Sequence, residues 1–192
     1  MTDPFTIHTN TAYCLNFMIY IQNIYLNQQE NRENLRFPYI ARQLNFSTDF
    51  EDHFKELWHI LRKQIANDRY DLQFFYEENN IFYEKLFDTQ FCNEESFKEM
   101  LYSFKVWWTS IVGPHSLEWS VSEYTEQLYN DLVLYVKQNE IETLQQLHIS
   151  LLYDDCVFAK ENISSYFAIL PTKTFFIGYR DVVATLLKCF KQ

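Results

Sequence analysis

Glu56 and His59 stand three residues apart, the spacing at which a carboxylate and an imidazole leave one face of a helix and can share a metal ion. Asp52 falls one turn earlier, so Asp52, Glu56 and His59 would line a single stripe. A helical two-metal centre needs a second such pair, and none of the other four histidines has an acid three residues before it. His148 and Asp155 lie seven residues apart, which on a helix gives one shared face but a separation of about 10 Å. That is too far for the direct bond by which an acid orients a histidine base. Cys156, the neighbour of Asp155, would point about 100° away from it on the same helix. His115 follows Gly113-Pro114 at what reads as a corner between helices, a place suited to exposed functional residues. The nucleophile-elbow GxSxG, the zinc motif HExxH and the phosphate loop do not occur, and two glycines in 192 residues leave little room for them. The residues therefore assign no catalytic group, no metal ligand and no cofactor.

Surface chemistry is better supported. Aromatic residues make up 19% of the chain, with 18 Phe and 14 Tyr. Trp107, Trp108, Trp119 and Tyr124 gather around the 113–116 corner. The net charge of −10 is concentrated: residues 68–161 hold 18 acids and 6 bases, and no Lys or Arg occurs from Val106 to Val136. Glu118, Glu123 and Glu126 rim the aromatic cluster inside that cation-free stretch. Such a surface repels phosphate backbones, so nucleic acid is not expected as a partner, whereas a basic protein is. Trp and Tyr are the usual anchors of protein interfaces. The leading expectation is a non-enzymatic binding protein of the inhibitor, immunity or adaptor type, engaging a basic protein through Trp107, Trp108, Trp119, Glu118, Glu123, Tyr124 and Glu126. A second reading is a sensor or carrier of an apolar small molecule, with Trp107, Trp108 and Tyr124 lining its pocket. A third is a metal-dependent helical enzyme built on Glu56 and His59.

The run Ile40-Ala41-Arg42-Gln43-Leu44-Asn45-Phe46-Ser47 resembles the entry of a helix-turn-helix. Asp49, Glu51 and Asp52 follow where phosphates and base edges would lie, which sets the charge against a DNA-reading role.

The elements that would carry these residues read as helical. Few glycines and prolines disfavour sandwiches and barrels, and the expected fold is an all-α, single-domain bundle of about seven helices over 1–192. A first helix is predicted over 11–27, apolar round most of its circumference, and a short one over 39–44. Thr48-x-x-Glu51 forms a capping-box pattern before Phe50, Phe54, Leu57, Trp58, Leu61 and Ile65. Residues 68–87 read as one interrupted helix or two short ones, with Asn79-Asn80 as the weak point. The most fully punctuated segment runs from Asn93, an N-cap, to Gly113-Pro114, a stop. Its stripe is Phe97, Leu101, Phe104, Trp108 and Ile111. Trp107 lies about 100° off that stripe and is the residue expected to face a partner. A long helix follows over 117–137, then another over 141–160 carried by Ile141, Leu144, Leu147, Leu151 and Phe158. In the tail a last helix over 173–190, capped by Thr172, is favoured over a short β-hairpin near 164–179.

Cys14, Cys92, Cys156 and Cys189 form no CxxC pair, so unpaired and mostly buried thiols in a reducing cytoplasm are expected. Asp3, Pro4 and His8 interrupt any secretory leader, and AYCLNFMIYIQNIYL is too short and too polar to span a membrane.

Overall fold

Twelve consecutive residues of the first helix, Tyr13 to Ile24, are all buried, and one half of the chain is built around them. The computed structural model describes residues 5–29, 34–67, 71–92, 94–141, 143 and 145–190. They form two compact units: a helical unit of Ala12–Ser110 with Cys156–Lys160, and a sheet unit of Met1–Thr11, Ile111–Asp155 and Glu161–Gln192. The predicted N-cap Asn93, the stripe residue Leu144, the leader positions Asp3 and Pro4, and residues 30–33 lie outside the described residues.

In the helical unit, α1 (Tyr13–Gln29) is surrounded because it is apolar nearly all the way round. Asn16, Gln22 and Asn23 are buried too, and each is bonded. The Asn16 amide donates to the Ala12 carbonyl at 2.8 Å, the Asn23 amide donates to the Phe37 carbonyl at 2.8 Å, and Gln22 Oε1 accepts the Val157 N–H at 2.7 Å. Helix α2 (Phe50–Asn67) buries Phe50, Phe54, Leu57, Trp58, Leu61 and Ile65, the stripe its spacing predicts. Helices α3 (Asp71–Glu78) and α4 (Asn80–Leu86) are separated at Asn79, as the paired asparagines suggest. Helix α5 (Glu94–Trp108) buries Phe97, Met100, Leu101, Phe104 and Trp108. Rings then lock α1 in place: Phe17 lies 5.2 Å from Phe75, 5.1 Å from Phe82 and 4.9 Å from Phe104.

Three local expectations fail here. Residues 39–44 form no helix, so the resemblance to a helix-turn-helix entry has no helix to carry it. Ile111 is 83% exposed and belongs to no core stripe, because α5 ends at Trp108. Gly113-Pro114 does not stop α5 but starts the next helix, with Pro114 in its first turn, where a missing N–H costs nothing.

The sheet unit corrects the fold class. It holds a four-stranded mixed sheet in the order β1-β2-β4-β3, larger than the tail hairpin considered above, within a chain that remains mostly helical. Strand β1 (Thr6–Asn10) pairs in parallel with β2 (Gln146–Leu152), and β2 pairs in parallel with β4 (Phe167–Pro171). The two-residue β3 (Ile163–Ser164) closes the edge antiparallel to β4. The helix predicted over 141–160 is thus replaced by a strand. Leu147, Ile149 and Leu151 alternate on one sheet face and pack in one core with Val121, Leu128, Leu132 and Val136 of α6 (Pro114–Gln138). The hairpin turn falls at Ser165-Tyr166, where Tyr166 takes a positive φ of 53°. The single tail helix is divided into α7 (Lys173–Ile177), α8 (Tyr179–Leu186) and a 3-10 turn (Leu187–Phe190). Thr172 stands at the N-cap of α7 without a side-chain cap bond. Among the described residues no helix is long and apolar enough to cross a membrane.

Candidate functional site

Helix α6 is 25 residues long, about 37 Å, and its buried positions fix which way every other residue points. Leu117, Val121, Leu128, Leu132 and Val136 face the core. Trp119 is two residues from both Leu117 and Val121, so it lies about 200° round the helix from each. Glu123 stands in the same relation to Val121, and Glu126 to Leu128. Trp119 is accordingly 81% exposed, and Glu123 and Glu126 continue its stripe along the next two turns. Among the described residues neither carboxylate takes part in an ion pair. Glu118, one position from Leu117, sits on the flank and accepts the Thr11 hydroxyl at 3.2 Å.

The entry to α6 adds apolar surface beside Trp119. Ser116 Oγ donates to the carbonyls of Val112 at 2.6 Å and Gly113 at 3.0 Å, tying the turn to the helix start. Ile111 and Val112 are left projecting, 83% and 61% exposed. A hollow of about 570 Å³ opens there, lined by Ile111, His115, Ser116, Glu118, Trp119 and Ser122. Ile111 and Val112 were not read from the sequence as surface residues; Pro114 as the first residue of a new helix is the signal that would have found them.

The other expected site residues lie elsewhere. Tyr124 is half-buried on a different side of α6, its ring 5.6 Å from Phe176, 6.0 Å from Tyr179 and 6.3 Å from Phe175. Tyr179 donates its hydroxyl to Asp131 Oδ2 at 2.8 Å, and burial, reinforced by that carboxylate, pushes the phenol well above its ordinary pKa. Trp108 is 7% exposed and packs 5.4 Å from Tyr13 and 5.5 Å from Phe104 within the helical unit. Trp107 is half-buried, with Phe37 at 5.1 Å and Tyr20 stacked at 6.3 Å. The structure thus brings Glu118, Trp119, Glu123 and Glu126 together on α6, while Trp107 and Trp108 belong to the ring network of α5.

Groups singled out for metal or acid–base chemistry are occupied otherwise. Glu56 is bonded to Lys85 and Asp52 to Lys55, each at 2.9 Å. His59 lies exposed on α2. Among the described residues no three His, Cys, Asp or Glu side chains are grouped to hold a metal ion. His148 does not share a helical face with Asp155: it lies in β2, directly across from His8 of β1, with ring centroids 5.2 Å apart. Asp155 is beyond the strand and pairs with Lys173. Cys14, Cys92, Cys156 and Cys189 form no disulfide. Comparison of the chain with protein-family models, curated proteins and solved structures returned no match.

Proposed function

We propose that the protein is a non-enzymatic binding protein that docks the outward stripe of α6 on a basic protein surface. Trp119 acts as the anchor, and Glu118, Glu123 and Glu126 select for Lys and Arg around it. The observation that carries this reading is a tryptophan 81% exposed on a helix whose acids have no basic neighbour from Val106 to Val136. An indole held in water by a rigid helix loses little entropy on association, and its face attracts a guanidinium or ammonium. Ile111 and Val112 beside it would take an apolar residue of the same partner, since exposed apolar patches rimmed by charge mark interaction sites. The buried thiols of Cys14, Cys92 and Cys189 agree with a reducing, cytoplasmic setting.

The test uses amphipathic peptides that carry Arg or Lys beside Leu or Phe at helical spacing, titrated by calorimetry. Trp119→Ala should weaken binding by about 30-fold, the loss typical of a hot-spot residue. The Glu123→Lys/Glu126→Lys variant should weaken it by about tenfold and flatten its dependence on salt between about 50 and about 500 mM. Basic peptides that bind no better than acidic controls, or binding indifferent both to salt and to these substitutions, would sink the reading.

A further inference from the structure

One edge of the buried stripe of α5, at Phe97 and Leu101, borders α4. Between the two helices lies a hollow of about 460 Å³, within the range of small-molecule sites and in a place, between packed helices, where such sites form. Phe97 and Leu101, both buried, supply its apolar lining. Tyr83 of α4 meets Phe97 with ring centroids 5.3 Å apart, and the Tyr83 hydroxyl donates to the Cys92 carbonyl at 2.6 Å. That ring is therefore fixed before any ligand arrives.

The charged groups of the hollow divide into one neutralised pair and two separate charges. Lys98 pairs with Glu94 at 2.6 Å along α5, one turn apart, so neither offers much net field. Glu84 of α4 lines the hollow and, among the described residues, takes part in no ion pair. Lys105 of α5 also lines it, and its ammonium is held by rings: 5.4 Å from the Tyr76 centroid, 5.8 Å from Phe75 and 5.9 Å from Tyr102. Rings attract a cation without neutralising it, so Lys105 remains a donor of charge and of N–H groups on its open side. Holding the long lysine stem in one place also removes much of the rotamer entropy that a ligand would otherwise have to overcome.

One anionic wall, one pre-positioned cation and an apolar lining are the complement of a zwitterion with an apolar side chain. We infer that the hollow between α4 and α5 binds a free α-amino acid with an apolar side chain. The ammonium of the ligand lies on Glu84, its carboxylate on Lys105, and its side chain on Phe97 and Leu101. A phosphate-bearing ligand would bring two or more negative charges to a single uncompensated cation and to Glu84, which opposes it. This site lies in the helical unit and does not depend on the α6 reading.

The experiment is calorimetry and thermal unfolding of the full chain with L-leucine and L-phenylalanine up to about 10 mM, beside N-acetyl-leucine and leucinamide. The free amino acids should bind and raise the unfolding temperature, and each blocked compound, which lacks one of the two charges, should bind at least about tenfold more weakly. Glu84→Gln, a change at an exposed position, and Lys105→Met, which keeps the stem, should each weaken the free amino acids by about tenfold. Trp119→Ala should leave this binding unchanged. No heat and no thermal shift with any amino acid overturns the inference. So does equal affinity for leucine, N-acetyl-leucine and leucinamide, or binding that survives both Glu84→Gln and Lys105→Met.

Discussion

Asp71 shows how burial can outweigh favourable contacts at a single residue. Its carboxylate meets the start of α1, where Oδ2 accepts the Cys14 N–H at 3.1 Å and a second backbone bond comes from Tyr13. Both bonds and the positive end of the helix favour the charged form. Burial opposes it more strongly, and the pKa is raised from 3.8 to about 6. The folded state therefore keeps the proton to higher pH than the unfolded chain does. The associated stability is fully present below about pH 4 and is lost as the pH rises through about 6, an effect of about 3 kcal/mol. Asp71→Asn should remove that slope, seen as a wild-type-minus-variant difference in unfolding free energy that falls between pH 4 and 6 and is flat above. Beside it, burial and then Asp71 push the Cys14 thiol far up, and burial raises Cys189 to about 11. Cys156 is only half-buried. Alkylation of the native protein, followed by peptide mass spectrometry, should mark Cys156 well before the other three.

At the scale of elements, amide side chains do work that apolar packing cannot. Asn27 of α1 donates to the carbonyls of Arg36 at 2.8 Å and Pro38 at 2.9 Å, and accepts the Arg36 N–H at 2.8 Å. Asn27→Ala would strand three backbone groups in a part-buried place, and should cost about 1–3 kcal/mol in urea unfolding, with faster amide exchange at Arg36. Phe17→Ala, which empties a site ringed by Phe75, Phe82 and Phe104, should cost about 3–5 kcal/mol by the same measurement. Helices α2, α5 and α6 were legible in the sequence because their buried residues recur every three or four positions over several turns, and α1 because it is apolar all round. Strand β2 was not. Leu147 and Leu151 are four apart and fit a helix as well as one face of a strand, and only Ile149 between them argues for alternation. Its partner β1 lies far away in the chain, so the pairing leaves no local signal. The candidate site was half legible for the same reason. The phase of α6 is written in its own leucines and places Trp119 outward. The rings that cover Trp107, Tyr20 and Phe37, come from elsewhere in the chain.

For the whole molecule the dominant quantity is charge. With a net −10 and a pI near 4.9, self-repulsion keeps the protein dispersed at neutral pH and weakens the folded state at low ionic strength. Unfolding temperature should rise as salt is added from about 10 to about 200 mM, and solubility should pass through a minimum near pH 5. A fall in unfolding temperature over that range would mean that specific ion pairs, such as Lys173 with Asp154 and Asp155, matter more than the net field. The solubility minimum coincides with the window in which protonation of Asp71 adds stability, so pH profiles need dilute protein. Aggregation near pH 5 would otherwise hide a more stable fold.

The pairing of β1 with β2 also sets an order of events during synthesis. Thr6 must find Gln146 roughly 140 residues later, and a ribosome adding about 5–20 residues per second delivers that partner only after roughly 7–30 s. All of the helical unit up to Ser110 emerges in the interval. A strand left waiting beside nascent chains is a template for wrong pairing. The sequence of β1, Thr-Ile-His-Thr-Asn, carries one aliphatic residue among four polar ones. It is too weakly apolar to recruit a stranger, and it gains its partner only once β2, with Leu147 and Ile149, has been made.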